Sequence, residues 1–323
     1  MEKIRVGVVG VGYLGQFHAE KYARMEEAEL VGVVDIDRSR AREIAKRYET
    51  QPYYHHAELF DKVQAVNIAV PTLLHHDIAK DFLLHGIDVL LEKPMTKDLE
   101  EADELIELAE SGGMILQVGH LERFSGTMAA LQGVVQYPLF IESHRLSPFS
   151  KRGTDVNVVL DLMIHDIDIL LSWVDSKVSD VRAVGIPILT RHFDIANARI
   201  EFENGCTANL TASRVSREKM RKTRIFQPTG YLSIDFLAQR VSYTKKTLSP
   251  QEGIPGIVTE DIPVKKVDPL EMEIRSFLDS VKERKEARVS GRDGRLALEV
   301  AHQIVGKILG LIAKNQTWGR LVR

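Results

Sequence analysis

Cysteine is nearly absent from this 323-residue sequence, and long apolar runs are missing. The single cysteine, Cys206, cannot form a disulfide within the chain. This disfavours both a disulfide-stapled secreted domain and a cysteine-based zinc site. No uninterrupted apolar run reaches the roughly 18 residues of a transmembrane helix, and the short apolar start ends in glycines rather than in a signal-peptide cleavage site. We therefore expect a cytoplasmic protein with no membrane partner.

The sequence also lacks an excess of charge of either sign. It has 43 Lys and Arg against 46 Asp and Glu, a formal net charge of -3. A chain so balanced has no basic footprint for nucleic acid, so we expect no nucleic-acid partner. With 44% hydrophobic and 28% charged residues, it can build cores and remain soluble. Its length suggests about two domains.

Strand and helix signals alternate in the first third of the chain. Short apolar strands are predicted with helical patterns between them, at Ile4–Val9, Leu30–Val34, Val63–Val70, Asp88–Leu91 and Met114–Val118. Apolar strands that alternate with helices indicate a parallel sheet covered on both faces. We therefore predict an α/β dinucleotide-binding (Rossmann) domain over residues 1–118.

The pattern changes after residue 118. An apolar helix is predicted at Val158–Trp173, and alternating strands follow, with a hairpin at Asn204-Gly205. The segment Thr247–Gly256 is predicted to be a loop, before two closing helices. Strands that are joined by turns rather than by helices form a mostly antiparallel sheet. We predict that residues 119–323 form an α+β domain for substrate binding and oligomerisation.

A glycine-rich motif opens the first predicted helix. It follows the first strand and reads Gly10-Val11-Gly12-Tyr13-Leu14-Gly15. Gly10 would allow the tight turn, Gly12 the approach of a pyrophosphate, and Gly15 close packing of helix on strand. Backbone N–H groups at the helix start would hold the phosphates. The motif in this context predicts a dinucleotide site.

An acidic residue follows the motif at the spacing expected for ribose recognition. Asp35 ends the second predicted strand, about 20 residues after Gly15. A carboxylate there accepts hydrogen bonds from the ribose hydroxyls and disfavours a 2′-phosphate, so NAD is the expected cofactor. Arg38 and Arg40 leave NADP open.

Two further constellations carry candidate chemistry. Lys93 follows the strand Asp88–Leu91, at the sheet edge where open α/β folds bind ligands, although a solvated surface lysine is the alternative. Asp161 and His165 interrupt the apolar helix four residues apart, and Asp168 follows three residues later. An Asp that orients a His suits general-base catalysis, and a structural pair is the alternative. No third ligand accompanies the pair, so no metal is expected.

These motifs together resemble the glucose–fructose oxidoreductase / inositol dehydrogenase (Gfo/Idh/MocA) family. The resemblance spans essentially the whole chain and rests on the glycine motif and three further stretches: Val70-Pro71-Thr72-Leu73-Leu74-His75, Glu92-Lys93-Pro94 and Asp161-Leu162-Met163-Ile164-His165-Asp166. It implies a large open sheet in the second domain, homodimers or homotetramers, and NAD(P)-dependent oxidation or reduction of a sugar or polyol. Where the family often has Asn before Arg123-Phe124, this chain has Glu122.

The resemblance also implies roles for individual residues. His165 would accept the hydroxyl proton, and Asp161 would orient the His165 imidazole. Lys93 would stabilise the negative charge that develops on the reacting oxygen. Further cofactor contacts are expected from six residues: Tyr13, Leu14, Pro71, Thr72, His75 and Glu92.

Substrate contacts are expected from the same catalytic residues and from a polar loop. The catalytic residues are Lys93, Asp161 and His165, and the loop contributes Arg152 and Asn157. With Arg145, this loop could bind an anionic or nucleotide-linked sugar, and a solvated loop is the alternative. A basic run could hold a diphosphate, although such a run is usually a solvated face: Arg214, Arg217, Lys219, Arg221, Lys222 and Arg224. In detail the chain resembles members that oxidise UDP-N-acetylglucosamine at C3. The alternatives are a reductase of a non-sugar substrate in the same family and a non-catalytic NAD(P)-binding regulator.

Overall fold

The computed structural model describes residues 3–150, 156–248 and 255–314. Contacts divide the chain into two units. One contains the residues up to Phe124 together with Asp268–Leu298, and the other contains Ser125–Val267 together with the residues from Glu299 onward. The boundary at residue 118 stays a prediction about independently folding domains.

The described residues form fourteen strands and eight α-helices. The strands are β1 (Ile4–Val9), β2 (Ala28–Val34), β3 (Gln51–Tyr53), β4 (Ala65–Ile68), β5 (Asp88–Glu92), β6 (Leu116–Gly119), β7 (Phe140–Leu146), β8 (Val178–Ile186), β9 (Ile195–Phe202), β10 (Thr207–Ser213), β11 (Met220–Gln227), β12 (Gly230–Asp235), β13 (Arg240–Leu248) and β14 (Pro255–Ile262). The helices are α1 (Gly15–Arg24), α2 (Arg38–Arg47), α3 (His75–Leu84), α4 (Leu99–Gly112), α5 (Gly126–Leu131), α6 (Ile164–Trp173), α7 (Pro269–Glu283) and α8 (Gly291–Lys314).

The first unit contains a six-stranded parallel sheet in the order β3-β2-β1-β4-β5-β6. This is the strand order of a Rossmann fold and confirms the predicted α/β class. The central strands are buried on both faces, and β4 has no exposed residue. The core cluster joins β1 and β2 to α1 and α7. Because α1 starts where β1 ends, the glycine motif lies at the carboxyl edge of the sheet.

The second unit contains an eight-stranded sheet in the order β14-β13-β12-β11-β7-β10-β9-β8. Its neighbouring strands are antiparallel except for β7 and β10, which are parallel. This confirms a mostly antiparallel second sheet. The hairpin predicted at Asn204-Gly205 joins β9 to β10, and Gly205 has the positive φ of 87° that favours glycine there.

Several elements differ from the sequence prediction. The edge strand β3 contains Pro52, which argues against a strand except at a sheet edge. Strand β7 was not predicted because charged and polar residues occupy its exposed side. The ends of the predicted loop Thr247–Gly256 belong to β13 and β14, and its residues 249–254 lie outside the described chain. These strands are held by their neighbours, which a local pattern does not show.

Helix α8 bears on the expectation drawn from apolar runs. Among the described residues it is the one helix long and apolar enough to cross a membrane by length and composition, although charges such as Glu299 and Lys307 interrupt it. Its buried side includes Ala301, Ile304 and Ile308. Ile308 lies so close to β8 that a Cβ on Gly185 would stand 2.9 Å from it. That apolar side is used inside the second unit.

Candidate active site

The glycine motif forms the turn between β1 and α1. Gly10 has φ 83°, and its N–H donates to the Val34 carbonyl at 2.8 Å. A Cβ on Gly15 would lie 1.7 Å from the Gly10 carbonyl oxygen, which is closer than any real contact. Only glycine therefore permits this tight strand-to-helix turn.

Gly12 differs from the other two glycines because a Cβ there would meet no atom within 4 Å. It faces a groove of about 660 Å³ in the first unit. Its lining includes Gly10, Gly12, Leu14, Asp35, Arg40 and Pro71. The open space beside Gly12, at the N-terminus of α1, fits the close approach of a pyrophosphate to backbone N–H groups.

Asp35 lies at the end of β2 with 7% of its surface exposed. Its Oδ2 accepts the Val11 N–H at 3.1 Å, and its Oδ1 accepts the Asp37 N–H at 2.9 Å. The carboxylate thus ties the second strand to the phosphate loop. Each oxygen keeps acceptor capacity toward the groove, as ribose hydroxyls require.

The sequence prediction did not identify the aromatic side of this groove. Tyr54 and His55 line it beyond β3. The Arg38 guanidinium lies 4.7 Å from the centre of the Tyr54 ring, and Arg40 contacts Asp35 at 3.5 Å. Tyr54 and His55 follow β3, a short edge strand that the hydrophobic pattern does not reveal, so no clear sequence signal pointed to them.

The remaining predicted cofactor residues occupy different positions. Leu14 and Pro71 line the groove. Tyr13 is half exposed beside Phe17 at the start of α1, and Thr72 begins the short 3-10 turn before α3. Glu92 ends β5, and the half-buried Lys93 follows it.

His75 is only 1% exposed and lies beneath the surface rather than on it. Its Nδ1 is 2.9 Å from the Pro94 carbonyl oxygen, and its Nε2 is 2.9 Å from that of Val70. Burial lowers the pKa of His75, against the opposing effect of these two carbonyls. The ring therefore connects the loops after β4 and β5 and offers no exposed edge to a cofactor.

In the second unit, the predicted catalytic pair lies on a modified helix. Asp161 belongs to a π-helical turn, Val159–Met163, and His165 lies in the first turn of α6. Both side chains are half-buried, whereas Asp168 is 3% exposed and belongs to the interior. A π-turn widens a helix locally and is frequent at functional sites.

The start of this helix is held by side chains and by a loop. The Oδ1 of Asn157 accepts the N–H groups of Val159 and Leu160 at 3.0 and 3.1 Å, so Asn157 caps the helix. Arg214 donates to the Val156 carbonyl, and Arg214 itself pairs with the buried Asp194. Arg152, a predicted substrate contact, lies outside the described residues.

Arg145 and Arg214 correct the predicted basic surface. Arg145 is 2% exposed and pairs with Asp166, and Arg214 is 3% exposed. Of the exposed members of the run, Lys222 pairs with Asp235, and Arg224 pairs with Glu142. Two of these basic side chains lie in buried ion pairs and two pair at the surface, so they do not form a single anion-binding patch. No group of three possible metal ligands occurs within the described ranges.

A parallel sheet of Rossmann order, a glycine turn at the first strand-to-helix junction and a carboxylate at the end of the second strand define a dinucleotide-binding domain. A family model described as "Oxidoreductase family, NAD-binding Rossmann fold" matches residues 4–120. A second model, the "GFO/IDH/MocA C-terminal domain", matches residues 125–233. The chain therefore belongs to the Gfo/Idh/MocA family, as the motifs predicted, and it is an NAD-binding dehydrogenase.

Individual dehydrogenases are also similar to this chain. The chain is 38% identical over 305 residues to UDP-N-acetylglucosamine 3-dehydrogenase of Acidithiobacillus ferrooxidans, covering 94% of this chain and 97% of that protein. A solved structure of that enzyme aligns with a TM-score of 0.90 over 95% of this chain and 98% of the other. The chain is 33% identical to an inositol 2-dehydrogenase of Rubrobacter xylanophilus, covering 57% of this chain and 56% of that protein.

Proposed function

We propose that this protein oxidises C3 of UDP-N-acetylglucosamine or of a closely related nucleotide-sugar, with NAD as the cofactor. The observation that carries the proposal is the 38% identity, over almost the full length of both chains, to an enzyme of that name. The groove beside Gly12 and Asp35 supports the cofactor part. NADP remains a second cofactor to test, because Arg40 lies beside Asp35.

Oxidation of a secondary alcohol removes a proton from the oxygen and two electrons with a hydrogen from the carbon. NAD, when bound, supplies the electron acceptor. In this proposal His165 takes the hydroxyl proton, and Asp161 supports the charge that the imidazole then carries. Lys93 stabilises the negative charge that develops on the reacting oxygen. Arg152 and Asn157 contact the substrate, and Asn157 also holds the helix start.

The proposed activity is tested by following NADH formation with purified protein. UDP-N-acetylglucosamine, UDP-glucose and myo-inositol are compared with NAD and NADP, and the product is analysed by mass spectrometry and NMR. We expect turnover with UDP-N-acetylglucosamine and a ketone at C3. Turnover of inositol with no turnover of either nucleotide-sugar would overturn the substrate assignment.

The role of His165 is tested with His165→Asn in the same assay. We expect kcat to fall by about 10²- to 10⁴-fold, with NAD affinity unchanged. His192→Asn is the control, because His192 is an exposed loop residue of the same unit. A near wild-type kcat for His165→Asn would reject the assignment of the base.

We also propose that the protein is a cytoplasmic homodimer or homotetramer. The support is the exposed face of the eight-stranded sheet, where the aromatic side chains Phe140, Phe226 and Tyr231 stack in a row. Such a face is usually covered. The molar mass of a monomer, measured by light scattering, would contradict the proposed oligomeric state.

A further inference from the structure

The loop that carries Lys93 is anchored from beneath by a side chain of α1. We propose that His18 is a positioning residue for Lys93, acting through Glu92. This inference rests on the proposed function, in which Lys93 contacts the reacting oxygen. It adds a residue far along the chain that would not itself touch substrate or cofactor.

The connection consists of two hydrogen bonds that share one carboxylate. His18 is 1% exposed, and its Nε2 lies 3.0 Å from Oε1 of Glu92. The other oxygen, Oε2, accepts the backbone N–H of Lys93 at 3.2 Å. The His18 ring is therefore linked through one side chain to the main chain of Lys93.

The carboxylate of Glu92 has little freedom to move away from this position. Gly119 is its register partner on β6, and a Cβ there would stand 3.2 Å from Oε2 and 3.3 Å from the Glu92 Cα. On the far side of Lys93, His75 contacts the Pro94 carbonyl. The loop is thus held before Lys93 by Glu92 and after it by His75.

The charge of Glu92 depends on its neighbours. Burial alone would raise its pKa, but the hydrogen bond and charge of His18 and the nearby Lys93 and His75 hold the pKa below its ordinary value. Glu273 of α7 is also close and fully buried, and burial and the charge of Glu92 raise the pKa of Glu273 well above 4.5. Glu92 is therefore the ionised member of this carboxyl pair, and Glu273 the neutral one.

Removing the His18 donor has a specific consequence. The pKa of Glu92 rises because burial is then opposed by fewer favourable contacts. A protonated Glu92 is a weaker acceptor for the Lys93 N–H, so the loop loses one anchor. A displacement of about 1 Å at a catalytic group can cost about 10² in rate.

The test compares His18→Ala and His18→Gln with the wild type and with Lys93→Met. For His18→Ala we expect kcat to fall by about 10- to 100-fold, NAD affinity to change less than twofold, and the acidic limb of the kcat profile to move to higher pH. The glutamine amide restores a donor, so His18→Gln should recover most of the kcat. Arg24→Gln, at an exposed position at the end of α1 where the guanidinium pairs with Glu20, is the control and should leave all three unchanged.

A second measurement does not depend on turnover. Amide hydrogen exchange of the peptide that contains Lys93 should accelerate several-fold in His18→Ala and return toward wild type in His18→Gln. Because this exchange reports the Lys93 N–H directly, it decides the inference even if the proposed substrate is wrong.

The outcomes separate the two proposals. Wild-type kcat for Lys93→Met would overturn the proposed role of Lys93 and leave the anchoring to be judged by exchange. An inactive Lys93→Met combined with unchanged kcat, pH profile and exchange in His18→Ala would overturn the positioning role alone. If His18→Ala does not fold, Glu92→Gln replaces it, with the same expected loss of kcat and faster exchange, and wild-type values would overturn the inference.

Discussion

Arg145 and Asp166 form a buried two-point ion pair. Nε of Arg145 lies 2.6 Å from Oδ2 of Asp166, and Nη2 lies 3.1 Å from Oδ1. Their side chains are 2% and 7% exposed, and the Ser143 hydroxyl also donates to Oδ1 at 3.0 Å. Because Asp166 follows His165 in α6, this pair attaches the proposed catalytic helix to strand β7.

The ion pair predicts a large loss of stability when only one partner is removed. Arg145→Met leaves the Asp166 carboxylate buried without its cation, so we expect the free energy of unfolding to fall by about 3–5 kcal/mol in urea titrations. The double variant Arg145→Met/Asp166→Leu should recover much of this loss. Arg199→Met is the control, because Arg199 pairs with Glu201 at the surface and should matter by less than about 1 kcal/mol. A small effect of Arg145→Met alone would contradict the predicted contribution.

The glycine motif predicts two different outcomes for one kind of substitution. Gly15→Ala should destabilise the first unit, because its Cβ would overlap the Gly10 carbonyl. Gly12→Ala should fold with an unchanged melting temperature, since its Cβ enters open space, but it should lose NAD affinity by at least about tenfold because that space is where the pyrophosphate approaches. Calorimetry and NADH fluorescence measure the two effects. Wild-type NAD affinity in Gly12→Ala would show that the cofactor does not approach there.

Asp35 predicts a change of cofactor preference. Asp35→Asn keeps the size of the side chain and removes the charge that would repel a 2′-phosphate. It also replaces one of the two oxygens that accept the Val11 and Asp37 N–H groups by an NH2 donor, so one of these hydrogen bonds is lost. We expect the NAD dissociation constant to rise about tenfold or more, and NADP binding to improve. Adding Arg40→Ala should remove the gain for NADP, since Arg40 is the cation beside Asp35. Unchanged preference in Asp35→Asn would exclude this carboxylate as the selector.

Because Glu273 is buried, we expect its contribution to the free energy of unfolding to fall as the pH rises. Burial raises the pKa of Glu273 above its ordinary 4.5, so above pH 4.5 the folded protein holds a proton that the unfolded chain releases. This contribution is fully present below pH 4.5 and is lost as the pH rises toward the folded pKa, by up to about 1.4 kcal/mol per pH unit. Urea unfolding at pH 5.5 and 7.5 should show a smaller difference for Glu273→Gln than for wild type. Glu29→Gln, an exposed carboxylate of the same unit, should change nothing, and an equal slope in Glu273→Gln would contradict the prediction.

The positions of site residues were predictable where each residue directly follows a strand that the local sequence pattern reveals. The glycine turn, Asp35 and Lys93 each lie at the end of a strand, so strand and helix periodicity was enough to place them at one sheet edge. His18 escaped notice because its partner Glu92 is 74 residues away, and a lone histidine on an amphipathic helix carries no local signal. The π-turn at Asp161 was also missed, because the sequence pattern there is that of an ordinary α-helix.

The sequence by itself determined the Rossmann topology of the first unit and the identity of the phosphate loop, because local spacing encodes these features, and the resemblance of its motifs identified the family. The tertiary structure decided which charged residues are buried and form ion pairs in the interior. Arg145 and Arg224 lie in similar basic strands, yet one pairs with Asp166 in the interior and the other with Glu142 at the surface. Such choices depend on strand register and on partners that are distant in the chain, and burial then decides their energetic weight.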